Sequence, residues 1–392
     1  LIINELVPLL EEVEVDNTYS TRLKRWSSIP MLSEPCMPFL HQEQQWYCVE
    51  VQTDLKNVDS LAALPFVEFI DEIRSGKVIL GLFNLNESFT WIVDLGYRIA
   101  TELNIPPNHI ALFSNAGRLD ISPDTFRYFW IRDFESIISN QVKAHPDDTT
   151  LCRKDHNGVF EKKYLMLNRR WRLHRPYFVA LLNETNLLDQ GLVSLAPADC
   201  GFDWDQIIQL TDGIALDMYT NHEWPEFKPR ILQALTNAKL LPPMYLDTDD
   251  LTINQADYQP HTNKLYEQTY FSVVSETNYF GPGDSRAPFL SEKTFKTIAH
   301  RHPFVMLAPS ETMACLKDIG YKTFDGFIDE TYDKEKNDVT RMKMVLEETR
   351  RLCSLSPDEV KQFVQGTSAI CEHNLALMRN RPVNDFYKEM NL

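Results

Sequence analysis

The chain has 392 residues, 43% hydrophobic and 24% charged, the make-up of a globular protein too long for one ordinary core, so two domains are expected. Its 56 acidic residues against 39 Lys and Arg give a net charge of −17, which disfavours a protein whose main business is coating nucleic acid. No apolar run reaches the roughly 18 residues of a membrane span, and the seven cysteines (Cys36, Cys48, Cys152, Cys200, Cys315, Cys353 and Cys371) are scattered, with no C-x-x-C; a reduced, cytoplasmic setting fits better than a disulfide framework or a zinc site.

The opening "LIINELVPLLEEVEVD" is apolar but acidic, and reads as a helix rather than a signal peptide. "QWYCVEVQ" alternates like a strand, and "FVEFIDEIRSGK" reads as a helix ending at Gly76. "VILGLFN" is a continuous apolar run suited to a strand buried on both faces. "ESFTWIVDLGYRIATELN" follows as a helix, with "HIALFS" and "RYFWIRDF" as further strands. Strand, helix, strand at this pitch is an α/β layer unit with a parallel sheet. The polar stretch Asn140–Gly158 breaks the rhythm and reads as a linker.

The second half restarts the same pattern. "KKYLMLN" reads as a strand, "RPYFVALLNETNLL" as a helix and "GLVSL" as a strand. Helices are expected around Asp205–Thr211 and Pro229–Ala238. Then come strand "YFSVVSE", helix "EKTFKTIAHR", strand "PFVMLA", helix "ETMACLKDIG" and a short strand "TFDGFID" before acidic helices. The long last helix is opened by Ser356 as N-cap. The fold class predicted is α/β, two Rossmann-like domains facing across a cleft, residues 1–150 and 151–355, with a helical tail over 356–392 packing back on the first. Ligands in such sheets bind beyond the carboxyl ends of the strands.

Two features at predicted helix starts point to an anion. Between Glu161 and Arg175 stand Lys162, Lys163, Arg169, Arg170, Arg172 and Arg175 against one acid. This cluster follows a predicted strand and precedes a helix with Pro176 in its first turn. Helix N–H groups and guanidinium forks both suit a phosphate or diphosphate; a solvated turn, or arginines paired with the plentiful acids, is the other reading. Lys293 sits in the first turn of the helix after "YFSVVSET", where a cation is mildly disfavoured by about 0.3–1 kcal/mol unless it faces something negative. Glu292 beside it suits sugar hydroxyls or simply the helix dipole, and Glu276 at the end of the preceding strand has the same two readings.

These residues carry a resemblance. "YFSVVSETNYFGPGDSRAPFLSEKTFKTIAHRHPFVMLAP" resembles the donor-binding half of the α-1,3-fucosyltransferases, in which an acidic strand end, a loop and T/S-E-K open a helix before an apolar strand. "GYKTFDGFIDETYD" and the arginine turn "LNRRWRLHR" are similar to further stretches of that family, and uncharacterised glycosyltransferase-like proteins of phages and environmental bacteria look closer still. The resemblance covers about residues 160–350. It implies a GT-B fold, residues 1–150 on the acceptor side, and a nucleotide-sugar donor held without metal in residues 151–355. By the same carry-over, Lys293 with Arg175 or Arg169 neutralises the donor diphosphate. Ser291 and Glu292 belong to the S-E-K, Glu292 binding hydroxyls, and Glu276 lines the donor pocket. The insertion "NYFGPGDSRAPF" before S-E-K departs from the family pattern and leaves sugar and base undefined.

An inverting enzyme of this kind needs a carboxylate base on the acceptor side. "FNLNESFTW" places Glu87 at a strand-to-helix turn, as base or as a first-turn glutamate beside a capping Asn86; Asp133 and Glu135 are rivals. "PPMYLDTDDLT" offers a competing metal site, Asp247 and Asp249, in the manner of a GT-A D-x-D. His300 and His302 read as a helix end. No G-x-x-x-x-G-K-[ST], G-x-G-x-x-G or G-x-S-x-G occurs. The expectation is a cytoplasmic, metal-independent glycosyltransferase with no cofactor beyond its nucleotide-sugar co-substrate, and with a glycan, lipid-linked sugar, protein or modified nucleic-acid base as acceptor. The alternatives are a Mn/Mg-dependent GT-A-like enzyme using Asp247 and Asp249, or a non-catalytic nucleotide- or phosphate-binding scaffold.

Overall fold

The computed structural model describes residues 45–50, 67, 69–84, 91–115, 117, 125–130, 132–144, 159–168, 172–195, 203–213, 223–241, 244, 246, 263–280 and 287–381. Glu87, Arg169, Arg170, Asp247, Asp249 and the opening "LIINELVPLLEEVEVD" lie outside them. The chain forms two compact units, Leu1–Asp133 with Pro382–Leu392, and Phe134–Arg381.

In the first unit, strands β1 (Gln45–Glu50), β2 (Val78–Asn84), β3 (Ile110–Ser114) and β4 (Arg127–Trp130) form a parallel sheet in sequence order. Helix α1 (Ile70–Arg74) links β1 to β2, and α2 (Trp91–Glu102) links β2 to β3. Ile92, Leu95 and Ile99 of α2 repeat at helical spacing and are buried with Leu80 and Leu112 in one core. Complete burial of such a side chain contributes about 1.5–3 kcal/mol, which is what fixes the helix on the sheet.

The second unit begins at Phe134, the second residue of helix α3 (Asp133–Ala144). Its sheet contains β5 (Tyr164–Met166), β6 (Gly191–Val193), β7 (Phe271–Ser275) and β8 (Phe304–Leu307), all parallel, in the order β6-β5-β7-β8. Helix α4 (His174–Glu184) carries the chain from β5 outward to β6. Helices α5 (Trp204–Gly213), α6 (Trp224–Ala238) and α7 (Asn263–Glu267) bring it back to β7 on the other side of β5. Helix α8 (Glu292–Ala299) then leads to β8. The winding direction therefore reverses between β5 and β7, which makes the carboxyl ends of these two strands a topological switch point. Helices α9 (Thr312–Asp318), α10 (Asp338–Cys353) and α11 (Pro357–Asn380) complete the unit.

Most of the expected elements are present, including the Ser356 N-cap, which forms a full capping box with Glu359. Three expectations are corrected. "RYFWIRDF" is a strand only to Trp130, because Asp133 opens α3. That helix runs to Ala144, into the stretch read as a linker. "TFDGFID" is a turn: Gly326 has φ +92°, and the N–H groups of Phe327 and Ile328 both donate to Phe324 O. The terminal helix α11 joins the second unit, with Ser139 Oγ of α3 donating to Met378 O at 2.8 Å.

Candidate functional site

The switch point gathers residues from four elements. Its frame is the end of β7. Glu276, the next residue, has no exposed surface. Its Oε1 accepts from Ser291 N at 3.0 Å and Thr294 Oγ1 at 2.5 Å, and its Oε2 accepts from Ser291 Oγ at 2.5 Å and Thr277 N at 3.3 Å. One carboxylate thus clips the start of α8 to the strand end. Ser291 and Thr294 lie fifteen and eighteen residues downstream, so the contact fixes the helix start across the intervening stretch. Ser291 is the N-cap, buried, and accepts from Lys293 N at 3.3 Å.

Lys293 curls back over that helix start. Its Nζ donates to Glu292 Oε1 at 2.7 Å, Ser291 Oγ at 3.1 Å and Thr277 Oγ1 at 3.5 Å, and its side chain keeps 22% exposure. Burial works to raise the pKa of Glu292, but the ammonium groups of Lys293 and Lys296 outweigh it, so the carboxyl lies below its ordinary value. Glu292 and Lys293 are therefore an ion pair, and the pair holds the ammonium beside the carboxyl end of β7.

Helix α4 brings its own start to the same place. Arg175 is buried, and its Nη2 donates to Ser275 O at 3.3 Å and Glu276 O at 3.2 Å. Beside it His174 donates from Nε2 to Glu276 O at 2.9 Å and stacks on Tyr279 with ring centroids 5.3 Å apart. Burial first, then the positive charges of Arg175, Arg172 and Lys293, push the His174 pKa well below 6.5. The ring is neutral at pH 7 and serves as a fixed N–H donor rather than a charge.

The basic cluster is divided by the strand it surrounds. Lys162 and Lys163 precede β5 at its amino end, where Lys162 Nζ donates to Asp189 O at 2.6 Å. Arg172 and Arg175 follow at the carboxyl end. Among the described residues of the cluster, only the latter pair lies at the switch-point end of the strand, which reduces the local positive charge from the value the sequence suggests. Arg175 also turns inward, so Lys293 is the more accessible cation of the two.

Two site residues carry no signal in the sequence. Asn168, just past β5, is 1% exposed. Its backbone N–H donates to Ser194 Oγ at 3.0 Å and its Nδ2 to Ser194 O at 3.1 Å, which fixes the amide orientation and leaves Oδ1 as a buried acceptor with no hydrogen-bond partner among the described residues. Ser275, the last residue of β7, is also 1% exposed, and its Oγ likewise has no partner among the described residues.

The other candidates occupy structural positions or lie outside the described residues. Glu135 is buried in α3, where its Oε1 accepts from Tyr321 OH at 2.6 Å and pairs with Arg381 Nε at 2.9 Å. It fastens α3 to the rest of its unit and is not disposed as a solvent-facing base. His302 bridges Ser272 Oγ and Thr269 O at 2.7 and 2.9 Å, and His300 stacks on Tyr266 at 4.0 Å, as expected of a helix end. Among the described residues, no group of three or more His, Cys, Asp or Glu side chains is arranged to hold a metal ion, and no helix is long and apolar enough to cross a membrane.

No protein-family model matches the chain, and no curated protein matches it either. Among solved structures, a UDP-forming alpha,alpha-trehalose-phosphate synthase from Burkholderia xenovorans is similar at 12% sequence identity and a TM-score of 0.39, over 96% of this chain and 80% of that one.

Proposed function

We propose that the chain is a glycosyltransferase of GT-B type that takes a nucleoside-diphosphate sugar at the switch point between β5 and β7 and moves the sugar to an acceptor hydroxyl without a metal. The observation that carries this reading is the meeting of two helix starts, α4 and α8, with Arg175, Arg172 and Lys293 around one strand end. Helix starts and fixed cations both stabilise an anion. A departing nucleoside diphosphate gains negative charge as the glycosidic bond breaks, so cations already held in place stabilise the transition state with little reorganisation.

The residues divide the work as follows. Lys293 contacts the diphosphate directly, passing from Glu292 to the ligand, and Glu292 turns to a ribose or sugar hydroxyl. Arg175 contributes charge from behind the strand end, and Arg169 contributes as a second elbow arginine. Ser291 and Glu276 hold α8 in register. Glu87 is the proposed base of an inverting reaction, acting on the acceptor from residues 1–150.

The test is a thermal-shift screen of nucleoside diphosphates and nucleotide sugars, with and without EDTA. One diphosphate should raise the melting temperature, since a ligand at 100 times its Kd adds about 2.7 kcal/mol, and the rise and sugar transfer should persist in EDTA. No shift with any nucleotide would overturn the reading, and activity abolished by EDTA would favour a metal-dependent enzyme using Asp247 and Asp249. Binding without transfer or donor hydrolysis would leave the scaffold reading.

A further inference from the structure

We infer that Asn168 and Ser275 form a neutral half of the same ligand site, accepting a hydroxyl or N–H from the part of the ligand that is not phosphate; this rests on the nucleotide reading above. Strands β5 and β7 are adjacent and parallel, with Tyr164 beside Phe271 and Leu165 beside Ser272. Asn168 lies two residues past the end of β5 and Ser275 is the last residue of β7, so both stand at the carboxyl ends of the two strands that flank the switch point. Each residue carries a buried side-chain oxygen without a hydrogen-bond partner.

Folded proteins leave few buried polar atoms unpaired, and each exception asks for a cause. Here two fall at neighbouring positions, next to the starts of α4 and α8. Arg175 Nη2 donates to the backbone oxygen of Ser275 itself, so the residue that carries the hydroxyl is in direct contact with the buried cation. The chemistry of the pair selects the partner. Asn168 Oδ1 only accepts, because its amide nitrogen is committed to Ser194 O. A phosphate oxygen cannot satisfy it; a ribose hydroxyl, a base N–H or a hydroxyl of the transferred sugar can. Charge recognition by Lys293 and neutral recognition by Asn168 and Ser275 are thus separate contacts on one ligand.

Calorimetry with three probes tests this: inorganic pyrophosphate, the nucleoside diphosphate that the unmutated protein binds best, and the matching nucleotide sugar. Ser275→Ala removes a hydroxyl that bonds to nothing in the free protein, so its melting temperature should stay the same or rise. Its affinity for pyrophosphate should be unchanged. Its affinity for the nucleoside diphosphate should fall about 5- to 10-fold if the donor group is on the nucleoside, and for the nucleotide sugar alone if it is on the sugar. Either loss supports the inference and identifies the source. Asn168→Ala should show the same ligand pattern, together with a lower melting temperature from the lost Ser194 bond, so Ser275→Ala decides. Equal affinity of Ser275→Ala and the unmutated protein for all three probes would overturn this inference alone, as would a parallel loss of pyrophosphate binding. Failure of the unmutated protein to bind any of the three would overturn the nucleotide reading with it.

Discussion

Lys293→Ala is expected to weaken nucleoside-diphosphate binding about 10- to 100-fold, the equivalent of about 1.5–3 kcal/mol for a charge-assisted phosphate contact. The effect should be as large for inorganic pyrophosphate, because the ammonium recognises charge and not the nucleoside. A stability loss will accompany it. Glu292 is left with an 11% exposed side chain and no Lys293 at 2.7 Å, and a carboxylate so placed costs about 1–3 kcal/mol. The double variant Lys293→Ala, Glu292→Gln separates the two effects: the neutral amide should restore much of the melting temperature and none of the pyrophosphate affinity. Recovery of both would mean that Lys293 acts only by pairing with Glu292.

Glu276→Ala should be the most destabilising single change at the site. It strands Ser291 N, Ser291 Oγ and Thr294 Oγ1, whose residues have no exposed surface, and frees the part-buried Thr277 N. With each unpaired buried donor costing about 1–3 kcal/mol, and the hydroxyls able to turn elsewhere, a net loss of about 3–5 kcal/mol is expected. In urea this should lower the unfolding midpoint with an unchanged slope, since the native fold and the surface it exposes on unfolding stay the same. Glu276→Gln should lose less, because Ser291 and Thr294 hydroxyls both donate and accept. A pocket-lining role alone predicts the opposite pattern: normal stability with reduced affinity.

The arrangement of elements was largely legible in the sequence, since it rests on periodicity. Continuous apolar runs such as "VILGL" and "FVML" lie in strands and are buried at every position, and "EKTFKTIA" repeats its buried positions at helical spacing. The misreadings have local causes. "TFDGFID" is short and rich in Phe and Ile like a strand, but Gly326 adopts a left-handed φ within a turn. "RYFWIRDF" has an aromatic and apolar run, Tyr128 to Ile131, suited to a strand, and only the first-turn position of Asp133 marks where strand gives way to helix. Strand order was not legible. Nothing in the composition of β7 states that it lies beside β5 rather than β6, because that depends on where the returning helices α5 to α7 pack.

The site was legible in part for the same reason. Lys293 and Arg175 stand out as cations at helix starts, and the sheet does bring those two starts to one strand end. The sequence does not reveal that Arg175 faces inward, or that Lys162 and Lys163 sit at the wrong end of a three-residue strand. Asn168 and Ser275 resemble any strand-end polar residue until the register of β5 on β7 is known. Glu276 shows the converse: an acid at a strand end suggests ligand recognition, whereas three of the four described bonds to its carboxylate come from Ser291 and Thr294 at the start of α8.

A crystal structure of the protein with its preferred nucleoside diphosphate tests the central claim most directly. The diphosphate should lie at the carboxyl ends of β5 and β7, with a phosphate oxygen within hydrogen-bond distance of Lys293 Nζ and the Lys293–Glu292 pair opened. A nucleotide bound elsewhere, with that pair intact and Asn168 Oδ1 and Ser275 Oγ untouched, would contradict it.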